Sequence, residues 1–340
     1  MKSYFQIGAD EQLAVLQYGS RQLQMPENIL EKDIWLCWVL EQIFKMPSAP
    51  KMAFKGGTSL SKVFGLIERF SEDVDITLDY RNFEDFELFD PKHSKTKLRK
   101  YSDRLKKAVK DFSTHQLMPY LQEQLDALPQ AQGSKCQLRM DSSGEKVWLY
   151  YPSVSSADVN YLREGVLLEL GGRNTIDPNQ LYTVKPYVNR VVEELSFPCA
   201  EINVLAAERT FWEKATLIHV ACQRDIKKST SRLVRHWYDL VMLYNSDMGT
   251  NAITDIDLLK DVVAHKNIFF SASYANYDAC LSGKIELLPQ DENLKMLEHD
   301  YLAMLSAGMF YAKTLTFEEI CDTTLLIQNK INKQLISSAS

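Results

Sequence analysis

Apolar and polar positions along the chain follow two periods, which predict a sheet in the first half and helices in the second. Short apolar runs and strict alternation indicate strands, whereas apolar positions three or four residues apart indicate helices. The predicted strands are 52–55, 74–78, 136–140, 146–151, 166–170 and 182–188. The predicted helices are 11–18, 26–44, 58–64, 92–128, 206–222, 231–245, 255–268, 291–309 and 316–336.

This order of elements predicts an α+β fold. Strands that come first and helices that follow favour a mixed sheet core, packed against the two N-terminal helices, with a helical C-terminal half. The chain has 340 residues and is longer than a usual single domain. We therefore expect a sheet-containing domain over residues 1–205 and a helical domain over residues 206–340.

Composition narrows the class of protein. A formal net charge of −6 and a hydrophobic content of 45% fit a folded protein. We expect no membrane association and a cytoplasmic location, because no run of about 18 apolar residues exists and the N-terminus has no signal-peptide core. The six cysteines lack the spacing of a zinc site, so free thiols are expected.

A glycine-rich turn and an acidic strand lie close together in the sequence. The turn would open a helix whose free N–H groups can hold phosphates. In the next strand Asp73 and Asp75 are two residues apart, so both carboxylates point to one face. Mg²⁺ or Mn²⁺ takes such carboxylates and completes its coordination with substrate phosphates, which predicts a metal site that binds an NTP. The turn residues expected to bind this nucleotide are Gly56, Gly57, Thr58 and Ser59.

Further side chains near these segments suit the same site. Lys62, one helical turn past Thr58 and Ser59, can reach a phosphate, and Ser71 shares the strand face of the two aspartates. A third carboxylate is usually needed as a base beside the metal. Glu169 is our candidate, because a carboxylate in a buried apolar run is costly unless paired or metal-bound, and Glu164 is the alternative. Each also has an ordinary interpretation: Lys62 as a solvated lysine, Ser71 as a structural hydroxyl, and Glu169 as an edge-strand glutamate that faces solvent.

These motifs resemble those of one protein family. The segment from Lys55 to Leu78 resembles the signature of the AbiEii/AbiGii family of nucleotidyltransferase-like toxins, in which a Lys-Gly-Gly-Thr turn precedes an Arg-x-Ser-x-Asp-x-Asp strand. Residues 207–215 resemble that family's helix with a functional lysine, and residues 235–240 are similar to its Arg-Asp-x-x-Asp-Leu helix. The resemblance marks four positions as functional: Asp73, Asp75, Lys214 and Asp239.

The two downstream positions also have ordinary interpretations. A helical lysine such as Lys214 more often reaches water or pairs with Glu208 or Glu213. Asp239 and Arg235 are four residues apart, which is the spacing of a common surface salt bridge. As functional residues, Lys214 would bind the triphosphate and Asp239 would orient this lysine or bind the base or ribose. Histidine stands at 236, where the family motif often has aspartate, so no role carries over there.

The resemblance implies a metal-dependent nucleotidyltransferase that moves a nucleoside monophosphate from an NTP to an acceptor. It implies the toxin of a toxin–antitoxin or phage-defence pair, with tRNA as acceptor and a cognate antitoxin as partner. Basic clusters at 92–110 and 224–235 suit RNA, and they equally suit a solvated helix face. Two alternatives stay open: a nucleotidyltransferase that modifies a protein or a small molecule, and a nucleotide-binding regulatory module without turnover.

Overall fold

The chain forms two compact units. The structure is a computed structural model that describes residues 1–83, 93–129, 135–155, 164–224, 232–310 and 314–338. Of these, unit 1 contains residues 1–63, 70–83 and 101–204, and unit 2 contains residues 64–69, 93–100 and 205–338. A compact unit is not thereby shown to fold independently. The division into two domains at residue 205 therefore stays a prediction.

Unit 1 is built on a mixed sheet. In the order β4-β5-β6-β3-β2-β9-β7, β3 is antiparallel to β2 and parallel to β6, and β2 is parallel to β9. A two-stranded parallel ladder joins β1 to β8. The strands are β1 (Lys2–Ser3), β2 (Met52–Lys55), β3 (Asp73–Asp79), β4 (Gln137–Met140), β5 (Lys146–Tyr150), β6 (Val166–Asn174), β7 (Asn179–Val184), β8 (Leu195–Ser196) and β9 (Ala200–Leu205).

The helices begin and end close to the predicted positions. Capping side chains set some of these limits, as in Ser246, whose hydroxyl accepts a hydrogen bond from the Gly249 N–H at the start of one helix. The helices are α1 (Ala9–Leu23), α2 (Glu27–Lys45), α3 (Gly56–Lys62), α4 (Lys95–Phe112), α5 (Met118–Asp126), α6 (Ala207–Cys222), α7 (Arg235–Tyr244), α8 (Asp247–Thr254), α9 (Ile256–Phe269), α10 (Asp291–Ser306) and α11 (Phe317–Ser338).

The N-terminal helix α2 is part of the core of unit 1. Trp35, Leu36 and Leu40 are buried, and the Trp35 ring stacks on Tyr151 with centroids 5.1 Å apart. The helix packs against α1, α5 and β6. The predicted α+β class, with a mixed sheet and N-terminal helices against it, is therefore confirmed.

Several elements differ from the predictions: helix α8 and the short strands β1 and β8 were not predicted, and the strand predicted over 182–188 lies at Asn179–Val184. The helical stretch predicted over 92–128 is confirmed as continuous helix from Lys95 to Asp126, which a wider π-helical turn at Ser113–Leu117 divides into α4 and α5. That turn comes just before Pro119, which has no N–H to donate to the preceding turn. The strand Ala200–Leu205 was not predicted at all, and its Val204 pairs with Phe54 about 150 residues earlier.

Unit 2 is helical where the structure describes it beyond β9. Helix α6 packs against α7, α8 and α9, and α7 packs against α11. Two buried tryptophans anchor the first two of these helices: the Trp212 indole N–H donates to the Ala252 carbonyl over 3.0 Å, and the Trp237 indole N–H donates to the Leu287 carbonyl over 2.7 Å. These bonds satisfy the one polar atom of each buried ring.

No disulfide bond joins any of the six cysteines, as expected from the sequence. Burial raises the pKa of Cys136 and of Cys280 to about 12. Among the described residues, no helix combines the length and the apolar character needed to cross a bilayer.

Candidate functional site

The glycine turn, residues Gly56, Gly57, Thr58 and Ser59, lies against the acidic strand in unit 1. Helix α3 begins directly after β2, and Lys55 at the end of β2 is opposite Asp75 of β3. Gly56 has a φ of +81°, which favours glycine. A Cβ built on Gly56 would lie 2.2 Å from Asp75 Oδ2, so no side chain fits there without displacing that carboxylate.

The acidic pair, Asp73 and Asp75, shares one face of β3. Alternation along the strand places the two side chains together and sends Val74 and Ile76 to the opposite face, where both are buried. Asp73 is 6% exposed and Asp75 is half-buried. Two carboxylates on one face at this depth can bind a cation, which would offset the cost of burying their charge.

Hydroxyl groups connect the glycine turn to the acidic strand. Thr58 Oγ1 lies 2.6 Å from the Asp73 carbonyl oxygen and 3.0 Å from Ser71 Oγ, and the Ser59 hydroxyl donates to the Gly56 carbonyl over 2.9 Å. These hydroxyls therefore fix the turn in place. Nucleotide binding by the turn and by Ser71 stays a prediction.

Glu169 of β6 shares the face of the acidic pair. Asp75 and Glu169 are register partners in the parallel β3–β6 ladder, and directly opposed residues project to the same side. Glu169 Oε1 also lies 2.8 Å from Lys146 Nζ, and both side chains are about 35–46% exposed. The alternative, Glu164, is exposed and precedes the strand. A catalytic or metal-binding role for Glu169 stays a prediction.

The donor set fits a hard divalent cation that a substrate helps to hold. Within the described ranges, no three Asp, Glu, His or Cys side chains form a group that could hold a metal ion. Mg²⁺ is usually coordinated by one or two carboxylates together with substrate phosphates and water. Two carboxylates on one strand face beside the glycine turn match this preference.

Lys62, the last residue of α3, is in a buried ion pair. Its Nζ lies 2.5 Å from Asp33 Oδ1 and 3.8 Å from the centroid of the Tyr187 ring. Burial lowers the pKa of Lys62, but the negative charge of Asp33 outweighs it, and the pKa is raised above its ordinary value. Phosphate binding by Lys62 stays a prediction, because Asp33 already matches its charge.

A second group of charges, the ion cluster of Arg69, Lys214 and Asp239, lies inside unit 2. Arg69 donates from Nε to Asp239 Oδ1 and from Nη2 to Oδ2, each over 2.7 Å. Lys214 Nζ lies 2.8 Å from Asp239 Oδ2. All three side chains are at most 8% exposed. Lys214 therefore pairs with Asp239 rather than with Glu208 or Glu213, and Asp239 is not part of a surface salt bridge.

Burial and mutual attraction set the charges of this cluster. Burial raises the pKa of Asp239, but Arg69 and Lys214 outweigh it and hold that pKa well below its ordinary value. Burial lowers the pKa of Lys214 in spite of Asp239. Burial, with repulsion from Lys214 and Arg235, lowers the pKa of His236 well below its ordinary value. Asp239 is therefore ionised and His236 neutral at pH 7.

Two residues that the structure brings into these groups had no predicted role. Arg69 holds both carboxylate oxygens of Asp239, and Lys55 lies opposite Asp75 on the neighbouring strand. The only local signal for either was its place in a motif: Arg69 opens the strand motif and Lys55 opens the turn motif. Their partners cannot be inferred from spacing, because Arg69 and Asp239 are 170 residues apart.

A family model decides the identity of the chain. The model for the nucleotidyl transferase AbiEii toxin of type IV toxin–antitoxin systems matches residues 38–323. The chain belongs to this family. The matched range contains the glycine turn, the acidic pair and the ion cluster. This AbiEii family protein is therefore a nucleotidyltransferase toxin, as the sequence motifs predicted, and membership implies an NTP substrate and a cognate antitoxin.

Other comparisons add little to the family match. A solved structure of MenT4, a nucleotidyltransferase toxin from Mycobacterium tuberculosis H37Rv, is similar at 14% sequence identity with a TM-score of 0.41. The alignment covers 94% of this chain and 88% of MenT4. No curated protein matches the chain.

Proposed function

We propose that this AbiEii family protein transfers a nucleoside monophosphate from an NTP to RNA, with tRNA as the acceptor, and that Asp73 and Asp75 hold Mg²⁺ or Mn²⁺ for the reaction. One observation carries the proposal: the Gly56 backbone lies so close to the Asp75 carboxylate that a Cβ would meet it. Backbone N–H groups that can bind phosphate thus adjoin carboxylates that can bind a cation.

The reaction needs three contributions from the chain. An acceptor hydroxyl attacks the α-phosphorus; the new P–O bond forms, the bond to pyrophosphate breaks, and Glu169 accepts the hydroxyl proton. The bound cation neutralises charge on the phosphates. Lys214 offers a cation to the leaving pyrophosphate, and Asp239 orients the lysine through the 2.8 Å contact.

The basic helix α4 supports RNA as the acceptor. It carries eight lysines and arginines against two aspartates, and its buried side, with Leu105, Val109 and Phe112, leaves the basic residues outward. Lys92, Lys227 and Lys228 of the predicted clusters lie outside the described residues. Phosphate contacts by such a surface give affinity that falls steeply with salt. The exposed basic residues are Lys95, Lys97, Arg99, Lys100, Arg104, Lys106, Lys107 and Lys110.

In the cell the proposed reaction would disable tRNA and arrest growth, in the cytoplasm, until the cognate antitoxin counteracts it. This role is common to toxin–antitoxin and phage-defence systems, and the family membership supports it.

Label transfer tests the proposed chemistry. Purified protein is incubated with Mg²⁺, one of four α-labelled NTPs and total RNA, beside an Asp73→Asn/Asp75→Asn control. We expect label on small RNA only with the intact acidic pair. Label on a protein or a small molecule would show that the acceptor is not RNA. Nucleotide binding without transfer of label would favour the regulatory module.

The role of α4 has its own test. Replacing two exposed lysines of this helix, Lys100→Gln/Lys106→Gln, should weaken RNA binding and reduce its salt dependence by about one unit of log–log slope per lysine. Exposed Lys330 and Lys333 of α11 provide the matched control, Lys330→Gln/Lys333→Gln. Equal binding by both double variants would remove α4 from the acceptor surface.

A further inference from the structure

Helix α2 contains three consecutive charged residues that are all buried. Glu31, Lys32 and Asp33, here called the charged triplet, are each at most 2% exposed. Such residues are almost never fully buried unless they are paired. Successive helical residues point about 100° apart, so the triplet reaches three different parts of unit 1 from one helical turn.

Each member of the charged triplet has a defined partner. Lys32 Nζ lies 2.7 Å from Glu72 Oε2. Asp33 contacts Lys62 over 2.5 Å through Oδ1 and accepts from the Tyr187 N–H over 2.6 Å through Oδ2. Glu31 accepts from the Ser153 hydroxyl over 2.6 Å and from the Val154 N–H over 2.7 Å, along with the Ser155 hydroxyl.

Two of these partners are at the ends of the segments that form the acidic site. Glu72 directly precedes Asp73, where β3 begins. Lys62 is the last residue of α3, the helix that begins at Gly56. A single rigid helix therefore holds both the start of the acidic strand and the far end of the glycine-turn helix.

Stability alone does not account for two such ion pairs. Removing charges from water costs several kcal/mol per ion, and well-packed apolar replacements of buried pairs are often neutral or stabilising. What a buried pair gains over apolar contact is direction, since only one arrangement of the partners satisfies it. Catalysis depends on such placement, because a misplacement of about 1 Å can cost about 10²-fold in rate.

We propose that Lys32–Glu72 and Asp33–Lys62 are positioning contacts for nucleotidyl transfer, which fix the acidic pair relative to the glycine turn. The inference rests on the proposed function, because it assigns these residues to the same site. Neither pair includes a residue of the acidic pair or of the glycine turn. Their loss should therefore change the turnover of bound substrate more than its binding.

The test replaces both partners of one pair with apolar residues of similar length. We expect the Lys32→Met/Glu72→Met variant to keep the wild-type melting temperature within a few degrees, to lose at least tenfold in kcat, and to change KM for the NTP less than threefold. Lys32→Arg, which keeps the ion pair, should recover most of the kcat. The half-buried pair Arg173–Glu145 of the same unit is the control, as Arg173→Met/Glu145→Met, with kcat unchanged.

Three results would overturn the proposal. The first is wild-type kcat in a folded Lys32→Met/Glu72→Met variant. The second is a kcat loss in the Arg173→Met/Glu145→Met control as large as in the test variant. The third is a failure to fold by both Lys32→Met/Glu72→Met and Asp33→Asn/Lys62→Met, which would show that the two ion pairs are purely structural.

Binding of Mn²⁺, followed by electron paramagnetic resonance, separates this inference from the proposed function. If the wild-type protein transfers no label, the function fails, and Mn²⁺ affinity then tests positioning alone. A folded Lys32→Met/Glu72→Met variant should bind Mn²⁺ about tenfold more weakly than wild type. Unchanged affinity would overturn the inference, and the absence of Mn²⁺ binding by the wild type would overturn both.

Discussion

The acidic pair of unit 1 and the ion cluster of unit 2 handle buried charge in opposite ways. Asp73 and Asp75 lie on one strand face, and the Gly56 backbone is so close to it that an added Cβ would lie 2.2 Å from Asp75 Oδ2. Asp239 instead has both oxygens taken by Arg69 and Lys214. The first arrangement can bind a cation through two carboxylates on one face, whereas in the second two basic side chains of the protein match the charge of Asp239. Disturbing the acidic pair should therefore act mainly on activity, whereas removing the carboxylate of Asp239 should act mainly on stability.

The largest expected effect is on stability, from Asp239→Asn. The substitution leaves Arg69 and Lys214 buried without their carboxylate, which typically costs about 3–5 kcal/mol. Urea unfolding at pH 7 measures the loss, at a pH where Asp239 contributes fully because its folded pKa is below its unfolded value. Asp257→Asn, at an exposed residue of α9, is the control and should stay within about 0.5 kcal/mol. Equal losses of unfolding free energy in Asp239→Asn and Asp257→Asn would contradict a stabilising role for the ion cluster.

Lys214→Met separates the effect on activity from the effect on stability within the ion cluster. Arg69 still satisfies both oxygens of Asp239, so the free energy of unfolding should change by less than about 1 kcal/mol. Transfer activity should fall by about 10²–10³-fold if the lysine stabilises the leaving pyrophosphate. Steady-state kinetics and urea unfolding on the same preparation give both numbers. Full activity would reduce Lys214 to a structural partner.

Gly56→Ala tests the close approach in unit 1. The added Cβ would displace the Asp75 carboxylate, and a misplacement of that size can cost about 10²-fold in rate. Gly65→Ala is a matched control, because Gly65 also has a positive φ, +62°, but has nothing within 4 Å of an added Cβ. Both variants should lose about 1–2 kcal/mol of stability from backbone strain. Only Gly56→Ala should lose transfer activity, and similar activities would exclude the collision.

The smallest expected effect is the dependence of stability on pH through His236. Its folded pKa is well below its ordinary value, so below about pH 6.5 only the unfolded chain takes up the proton. Stability should therefore fall with falling pH, by at most about 1.4 kcal/mol per pH unit. Urea midpoints at pH 7.5, 6.5 and 5.5 should show a flatter profile for His236→Gln. His299→Gln, at an exposed position of α10, should keep the wild-type slope.

Local patterns predicted much of the fold. Strand Met52–Lys55 was predicted with its observed limits, and the Lys146–Tyr150 hairpin strand to within one residue. Both have flanking turn signals and a clear apolar pattern. The strand Ala200–Leu205 was missed because its place in the sheet depends on pairing with Phe54, a contact that no local window contains. The π-helical turn at Ser113–Leu117 was missed because one helical period runs on both sides of it.

The candidate site was predictable to the same extent. Alternation alone places Asp73 and Asp75 on one face, and the sheet register adds Glu169 to that face. The partner of Lys62 was not predictable, because Asp33 is on a helix that reads as an ordinary apolar element. Buried ion pairs join distant segments, and spacing within a segment carries no information about them.

The buried thiols determine how this protein should be handled. Cysteine reacts with oxidants and alkylating reagents as the thiolate, and burial raises the pKa of Cys136 and Cys280 to about 12. These thiols therefore stay protonated and resist oxidation at neutral pH. A cysteine introduced on an exposed face of α4 would therefore react far faster than these two, and once the half-buried Cys199, Cys222 and Cys321 are replaced it could carry a fluorescent reporter of RNA binding.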